Sequence, residues 1–432
     1  MTSRLRLTRG AAALGVAALA LSACGGGNGG TTAPAATGSS PAEQSGGEAP
    51  QGDGTLTIGS LLPQTGNLAF LGPPEFAGVE LAIKEINEAG GVLGKPIAYE
   101  EGDSGDAQQD VANPTVDRLL RANVDAIIGA ASSGVSKTVI DKITGAGVVQ
   151  FSPANTSPDF TDYPDDGLYF RTAPSDVLQG RILGETILAD GHTSVGLLVL
   201  QDPYGEGLAK NLGDTITENG GELAPEGPVF YDPAASNFDA QVGQIKAANP
   251  DAIVLIGFEE SAKVIQSMIA QGIGPQDKQL YLVDGNLSNT LGDELPPGVL
   301  EGTKGSLPGA AAPGDFQQRL RTIDPGLTDF AYSAEAYDAV VTIGLAAAAA
   351  GNDSGQAIAA ELPDVTREGT KCTTFAQCSE LLGNGEDIDY EGVSGPIELS
   401  EAGDPTEASV GIYTYGPDNK YGNPVYASGS LE

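Results

Sequence analysis

Histidine is almost absent from this chain of 432 residues, because its single copy is His192, in the turn-like sequence ADGHTS. A Ser-His-Asp triad would have to use this residue, and no GxSxG elbow supplies a nucleophile to meet it. The chain also lacks a Gly-rich phosphate loop and the Cys/His spacing of a zinc site. These absences argue against a hydrolase or a zinc enzyme. We therefore expect no catalytic residue, no metal and no cofactor.

Basic residues are scarce as well, since 21 Lys and Arg stand against 58 Asp and Glu and the net charge is −37. Proteins bind nucleic acid largely by neutralising phosphates with basic side chains, so we expect no nucleic-acid partner. An anionic lipid surface would repel such a chain too. Any attachment to a membrane must therefore come from a covalently bound lipid.

No hydrophobic run is long enough to span a membrane. The apolar stretch from Gly10 to Ala23 has 14 residues, whereas a membrane-spanning helix needs about 20. Three arginines precede it, which is the pattern of a signal peptide. The sequence LSAC (21–24) resembles the bacterial lipobox, so we expect residues 1–23 to be removed and Cys24 to be lipidated at the extracytoplasmic face of the cell membrane. The alternative is an ordinary secretory signal with an incidental cysteine.

The segment 24–54 has the composition of a tether. After Cys24 it contains Gly, Ala, Ser, Thr, Pro, Asn, Gln and acidic residues, with no branched aliphatic or aromatic residue. Such a segment buries too little apolar surface to offset the entropy of ordering it. We predict a disordered tether that ends where a globular body begins, at Thr55.

From Thr55 onward the sequence alternates between buried-type strands and amphipathic helices. In the first helix Phe76, Val79, Ile83 and Ile86 recur at helical spacing. Strands separated by helices imply right-handed crossovers and parallel sheets covered on both faces. The predicted strands lie at 55–62, 96–101, 124–130 and 148–152 in a first series, at 194–202, 229–232, 251–258 and 279–285 in a second, and at 397–400 and 409–415 near the end.

Four polar stretches follow predicted strands at their carboxyl ends, where open α/β sheets bind ligands. Taken singly, each could be a helix cap or a turn; Ser132 or Ser133, for example, could cap the next helix. The stretches are AASSGVS (130–136), SPANTSPDF (152–160), QDPYGEGL (201–208) and VDGNLSN (283–289).

Taken together, these stretches resemble the leucine/isoleucine/valine-binding proteins of ABC importers. The resemblance extends to the lipobox and to segments along the body. It implies the α/β type I periplasmic-binding-protein fold, in which two parallel-sheet lobes are joined by three crossovers and hold a ligand in the cleft between them. The similar segments are TGNLAFLGPPEFAGVELAIKEINEAGGVLGK (65–95), YGEGLAKNL (204–212), AYDAV (336–340) and 371–399. The expected lobes are 55–172 with 308–405 (N-terminal) and 173–307 with 406–427 (C-terminal).

The resemblance also implies which residues hold the ligand carboxylate. They lie in two turns of the N-terminal lobe, and free N–H groups at a helix start bind anions in the same way. The residues are Ser132, Ser133, Ala154, Asn155 and Thr156.

Four further residues are implied to contact the rest of the ligand. Tyr204 and Phe258 would close over it from the other lobe, and Asp284 would meet its ammonium group, unless Asp284 merely begins a turn. Glu335 falls where relatives often have an aromatic residue. Its charge, and the short arm of Asp284 where relatives have Glu, leave room for a larger, more polar or more cationic ligand than leucine.

Cys372 and Cys378 are the cysteines that remain once Cys24 is lipidated. Because an exported compartment permits oxidation, we expect them to form a disulfide; the alternative is two reduced thiols.

These expectations combine into a lipid-anchored solute-binding protein of an ABC importer, with an amino acid of branched-chain or related type as ligand. The implied partners are the permease and ATPase subunits. The alternatives are a sensor component for amides, urea or aromatic acids, and a secreted hydrolase with an unrecognised site.

Overall fold

The computed structural model describes residues 51–310 and 312–431. The predicted signal peptide, Cys24 and the tether up to residue 50 lie outside this range. The body begins slightly before Thr55, because the Gly52 N–H donates a hydrogen bond to Asn352 Oδ1 at 2.9 Å. None of the helices within the described ranges is long and apolar enough to cross a bilayer.

The first sheet is built from five parallel strands in the order β2-β1-β3-β4-β5. Its inner strands are apolar runs buried on both faces, such as AIIG in β3, as expected when helices cover both sides of a parallel sheet. The strands are β1 (Thr57–Leu61), β2 (Ala98–Glu100), β3 (Ala126–Gly129), β4 (Val149–Ser152) and β5 (Tyr169–Arg171), and the helices between them are α1 (Gly72–Glu88), α2 (Ala112–Arg121) and α3 (Ser133–Thr144).

The chain then enters a second sheet. Its strands β6 and β9 to β11 are parallel, and β7 and β8 both pair with β6 at the edge. The strands of this stretch are β6 (Ser194–Leu200), β7 (Glu222–Leu223), β8 (Val229–Tyr231), β9 (Ala252–Ile256), β10 (Gln279–Leu282) and β11 (Lys304–Pro308), and the helices are α4 (Asp176–Ala189), α5 (Pro203–Glu218), α6 (Asp239–Ala248) and α7 (Ser261–Gln271).

The last part of the chain returns first to one sheet and then to the other. The alanine-rich helix α9 packs on α1, and two antiparallel strands complete the second sheet beside β11. The elements are α8 (Gly314–Leu320), α9 (Ser333–Ala350), α10 (Gly355–Glu361), β12 (Thr370–Cys372), α11 (Phe375–Gly383), β13 (Ile388–Tyr390), β14 (Glu407–Thr414) and β15 (Val425–Ser430).

The chain thus passes between the sheets three times, after β5, after β11 and before β14. The predicted architecture of two parallel-sheet units joined by three crossovers is confirmed. We call the first sheet with its helices the first lobe and the second sheet with its helices the second lobe; the lobe boundaries drawn from the sequence remain a proposal, and β15 runs past residue 427 to Ser430.

Two local expectations have clear outcomes. The predicted disulfide between Cys372 and Cys378 is confirmed, and both cysteines are buried beside α9. The predicted strand at 397–400 is wrong: this segment forms only isolated bridges, one of them between Leu399 and Pro405. A proline lacks the N–H that a ladder needs, so the pairing does not extend.

Candidate functional site

Strand ends of both lobes meet at a small cavity of about 20 Å³. Six of the nine predicted ligand-binding residues line it: Ser132, Ser133, Ala154, Tyr204, Phe258 and Asp284. The remaining lining residues are Leu68, Leu71, Ala131, Gly285 and Tyr332. Asn155, Thr156 and Glu335 are not part of the wall. We call this space the interlobe cavity.

The start of α3 forms one wall of the interlobe cavity. The Ser132 hydroxyl caps this helix by accepting a hydrogen bond from the Val135 N–H at 3.2 Å, which is the local role that the sequence left open for it. The Ser133 hydroxyl accepts from the Ser157 N–H at 3.3 Å. The first N–H groups of a helix have no partner within the helix. This wall therefore offers donors to an anion.

The turn after β4 forms the adjoining wall, and Asn155 holds it in place. Its Nδ2 donates to the Ala131 carbonyl at 2.8 Å, and its Oδ1 accepts from the Tyr169 hydroxyl at 3.0 Å. Both ends of the side chain are thus used inside the protein. Asn155 positions the turn, and Ala154 presents the cavity surface.

Arg171, at the end of β5, supports the same turn. Its guanidinium is fully buried and donates to the carbonyls of Asn155 and Ser157 at 3.2 and 2.8 Å. It also forms a two-point ion pair with Asp404 at 2.6 and 2.9 Å. Such a forked pair fixes geometry as well as charge. The turn is therefore tied to the third crossover.

Asp284 lies opposite these turns, and its carboxylate accepts hydrogen bonds from other side chains of the protein. Its Oδ1 accepts from the Tyr204 hydroxyl at 2.7 Å and from Gln179 Nε2 at 2.8 Å, and its Oδ2 accepts from the Tyr332 hydroxyl at 2.7 Å. Burial raises the pKa of Asp284, although the three donors favour its charged form. The Tyr204 ring also stacks on Phe258, with centroids 5.6 Å apart.

Asp176, the first residue of α4, lies near Asp284 but is not satisfied. Neither of its carboxyl oxygens has a hydrogen-bond partner among the described residues, and the same is true of Thr156 Oγ1 and Gln179 Oε1. Its backbone N–H donates to the Thr156 carbonyl at 2.8 Å. Burial, and then the charge of Asp284, raise the pKa of Asp176 well above its usual value. These unpaired polar atoms form an acceptor cluster at the first crossover.

Glu335 lies elsewhere, because it lines a second cavity of about 240 Å³ beside α9. Tyr332, which precedes α9, lines both cavities. Tyr332 is therefore shared by the two cavities, whereas Glu335 lines only the second. Burial, and then the charge of Asp338, raise the pKa of Glu335 to about 8.

Comparison with known proteins agrees with this architecture. The periplasmic binding protein family matches residues 55–377. The chain belongs to this family. A Leu/Ile/Val-binding protein homolog of Brucella suis is 29% identical over 377 residues, which cover 85% of this chain and 92% of the relative. A chemotactic signal transduction substrate-binding protein of Halobacterium salinarum is 26% identical over 366 residues, or 81% of this chain and 84% of the relative.

Solved structures of periplasmic binding proteins share the fold at low identity. The leucine binding protein LivK of Thermotoga maritima has a TM-score of 0.71 at 22% identity, covering 87% of this chain and 99% of that one. LivJ of Streptococcus pneumoniae, solved with isoleucine, has 0.70 at 22%, covering 87% and 100%. A solute binding protein of R. palustris, solved with benzoate, has 0.68 at 18%, covering 88% and 98%.

Several residues at or near the interlobe cavity of this periplasmic binding protein were not predicted from the sequence. Asp176 resembles an ordinary acidic residue of a first helical turn, and Gln179 a surface residue one turn later. Arg171 had a usable signal, because an arginine that ends the buried strand YFR needs a buried partner. Tyr332 comes from a segment more than 120 positions from Tyr204, another aromatic wall residue, and only the fold brings them together.

Proposed function

We propose that this protein is an extracytoplasmic solute-binding lipoprotein of an ABC importer that takes an amino acid into the interlobe cavity. The observation that carries the proposal is the pairing of opposite chemistries across one cavity. Helix-start donors at Ser133 lie on one side and the Asp284 carboxyl on the other, and the Asp176 carboxyl is close enough to interact with the charge of Asp284. A zwitterion presents a carboxylate to the first and an ammonium group to the second.

The wall between these polar ends favours an apolar side chain on the ligand. Leu68, Leu71 and Phe258 line the cavity, and none of them offers a polar group. Glu335, whose charge favoured a cationic ligand in the sequence interpretation, is not in this wall. A branched-chain or similar apolar amino acid is therefore the ligand class that we propose.

Ligand entry requires the lobes to separate. A cavity of about 20 Å³ has room for little more than one water molecule. Polar contacts between the lobes include those from the Tyr332 hydroxyl to Asp284, from Ser157 Oγ to the Pro203 carbonyl at 3.3 Å, from the Glu259 N–H to the Asn67 carbonyl at 3.3 Å and from the Tyr421 hydroxyl to Asp329 at 3.0 Å. Hinge closure around a ligand bridges such lobes in binding proteins. The closed form would then be the one that the permease recognises.

The names of similar proteins support transport and leave a second role open. The isoleucine-bound relative is a branched-chain amino acid transporter substrate binding protein, which favours an importer with permease and ATPase subunits. The Halobacterium relative belongs to a chemotactic system, which favours a sensor as the second candidate. The benzoate-bound relative makes aromatic acids the competing ligand class. We propose no catalytic role.

A thermal-shift screen of the mature protein tests the ligand class. It would include branched-chain amino acids, amides, urea and aromatic acids, and a ligand at 100 times its dissociation constant adds about 2.7 kcal/mol. We expect leucine, isoleucine or valine to raise the melting temperature. Stabilisation by benzoate or urea alone would contradict the amino-acid assignment, and turnover of an amide would contradict a pure binding role.

A further inference from the structure

The second cavity, beside α9, has the chemistry of a cation site, and we call it the Glu335 cavity. Its volume is about 240 Å³, and its wall carries the carboxyls of Glu335 and Asp329 but no lysine, arginine or histidine. This volume suits a ligand smaller than drug-sized molecules, whose pockets run from about 300 to 1,000 Å³. Its aromatic wall residues are Phe330, Tyr332, Tyr413 and Tyr421.

Glu335 is the wall residue that lacks a partner. It is 3% exposed, and no other described residue donates a hydrogen bond to its carboxyl, although its backbone carbonyl accepts one from Thr172. The carboxyl lies against Gly309, where a Cβ would fall 2.0 Å from Oε1. Buried carboxylates in proteins are normally paired or hydrogen-bonded. This one has neither a basic partner nor a hydrogen bond from another described residue, and the N–H that bonds to it is its own backbone N–H.

The charges that surround Glu335 are also acidic. Glu75 of α1 is fully buried and, among the described residues, neither of its oxygens has a partner; burial, and then the charge of Glu335, raise its pKa well above the usual value. Asp338 lies on the next turn of α9. Asp329 is held in place by the Tyr421 hydroxyl, which donates to it at 3.0 Å. Glu335 and Asp329 thus place carboxyls from two segments in the wall of the cavity, and the acidic groups Glu75 and Asp338 interact with Glu335.

The nearest basic side chains do not neutralise this charge. Arg321 lies over the Phe330 ring at 4.8 Å and donates to the Leu327 carbonyl. Lys420 pairs with Asp293 at 3.0 Å. Neither belongs to the wall of the Glu335 cavity, although Arg321 lies against one wall residue, Phe330.

We propose that the Glu335 cavity binds a small organic cation, a primary ammonium group on an apolar body. An ammonium group has three N–H donors, enough for Glu335 and Asp329 together. Tyr413 and Tyr421 meet edge to face with centroids 5.0 Å apart, and aromatic rings attract a cation as well as its apolar body. This site goes beyond the proposed interlobe function and does not depend on it.

Proton release is an independent signature of the site. With a pKa of about 8, Glu335 carries a proton at neutral pH while the cavity holds no cation. A bound ammonium favours the carboxylate, so binding expels this proton. The other titratable groups that face Glu335 are Glu75, Asp338, Tyr332, Tyr413 and Asp329, and all of them are acidic. Burial, and then the charge of Asp338, keep its pKa high until a cation arrives.

Calorimetry with benzylammonium and its neutral analogue benzyl alcohol tests the proposal on the full mature protein. Titrations at pH 7 in two buffers of different ionisation enthalpy report the proton that is released. We expect benzylammonium to bind at least tenfold more tightly than benzyl alcohol, with a buffer-dependent enthalpy. Glu335→Gln should weaken benzylammonium at least tenfold and abolish the buffer dependence. Asp176→Asn, which removes a carboxyl proposed for the interlobe ammonium site, is the matched acid-to-amide control and should leave benzylammonium binding unchanged.

Other results would overturn the site. These are no binding of benzylammonium at millimolar concentration, equal affinity for the amine and the alcohol, unchanged affinity in Glu335→Gln, or an equal loss in Asp176→Asn. Leucine affinity and the melting temperature of Glu335→Gln show whether the variant is folded. Because leucine binding is scored in the same proteins, failure of the amine site and failure of the interlobe function are distinguishable.

Discussion

At the scale of single residues, Asp176 and Asp284 differ in how their carboxyls are satisfied. Asp284 accepts three hydrogen bonds, whereas Asp176 accepts none from the described residues. Asp176→Asn removes a charge and leaves no donor without its acceptor. We expect it to weaken an amino-acid ligand at least tenfold, because losing one member of a buried charge pair costs about 2–5 kcal/mol. Folding should be unaffected.

Asp284→Asn is the comparison for this prediction. It should weaken the same ligand and also lower the free energy of unfolding, since Tyr204, Gln179 and Tyr332 lose an anionic acceptor. Calorimetry and urea unfolding of both variants give the answer, with a neutral amide as a ligand that neither should affect. Unchanged leucine affinity in both variants would remove the ammonium assignment. Ser133→Ala should show a milder loss because backbone N–H groups remain.

Glu335 predicts how stability depends on pH. Its pKa is about 8 in the folded protein, whereas an unperturbed glutamate titrates near 4.3. The folded state therefore holds this proton more tightly than the unfolded state does. The contribution of Glu335 to the free energy of unfolding is complete below pH 4, falls as pH rises toward 8 and is lost above that. We expect urea unfolding to give a lower free energy at pH 8 than at pH 5.

Glu335→Gln isolates the share of this one side chain. The loss of unfolding free energy between pH 5 and pH 8 should be smaller in the variant by a few kcal/mol, because a difference of one pKa unit corresponds to about 1.4 kcal/mol. A slope remains because Asp125, whose pKa burial raises to about 7, acts in the same direction. Parallel profiles for the variant and the wild type would contradict the assignment of a buried, titrating Glu335.

At the scale of secondary-structure elements, α3 of the first lobe closely approaches the start of α5 of the second lobe. A Cβ on Gly134 of α3 would lie 2.1 Å from Asp202 Oδ2, the cap of α5. Gly134→Ala improves helix propensity by about 1 kcal/mol but obstructs closure. We expect unchanged or higher stability without ligand and at least tenfold weaker leucine binding, measured by calorimetry.

Gly383→Ala is the matched control for this substitution. Gly383 ends α11, and nothing lies within 4 Å of its added Cβ. It should bind leucine like the wild type. If Gly134→Ala also binds like the wild type, closure does not bring α3 and α5 together as they are seen in the structure.

The disulfide between β12 and α11 closes a short loop and constrains the chain only locally. Chain-entropy arguments give about 2 kcal/mol for so short a loop. The double variant Cys372→Ala/Cys378→Ala should lose about this much unfolding free energy and keep its leucine affinity, because α11 lies behind α9 and away from the interlobe cavity. Reductant should shift the melting temperature of the wild type but not of the variant. A reductant effect on both proteins would contradict the assignment.

Elements were easier to predict from the sequence than side-chain partners. Buried runs such as AIVLI in β9 form strands because no other element fits so apolar and short a segment. The position of Glu335 was not accessible in this way, because helical spacing does not say which of two cavities a buried face meets. Asp176 was missed because its distinctive property is an absent partner, and only packing between the lobes reveals that.

At the scale of the whole molecule, the interlobe cavity couples the two cores. The core of the second lobe continues across it to Leu68, Leu71, Ala131 and Tyr332 of the first lobe. Separation of the lobes would expose this apolar surface together with the polar groups around Asp284. A ligand that contacts both this apolar surface and these polar groups therefore favours the closed form. Its binding energy shifts the population from the open to the closed form.

Membrane attachment is the remaining expectation for the whole molecule, and it rests on Cys24. The body is too acidic to be drawn to anionic lipid, so we expect a lipid on this cysteine to supply the anchor. We expect Cys24→Ala to incorporate no labelled fatty acid and to leave the membrane fraction, unless the uncleaved signal retains it there. The double variant Cys372→Ala/Cys378→Ala is the control and should incorporate label like the wild type. Label in Cys24→Ala would show that the lipobox interpretation is wrong, and an unlabelled wild type found wholly in the medium would favour an ordinary secretory signal instead.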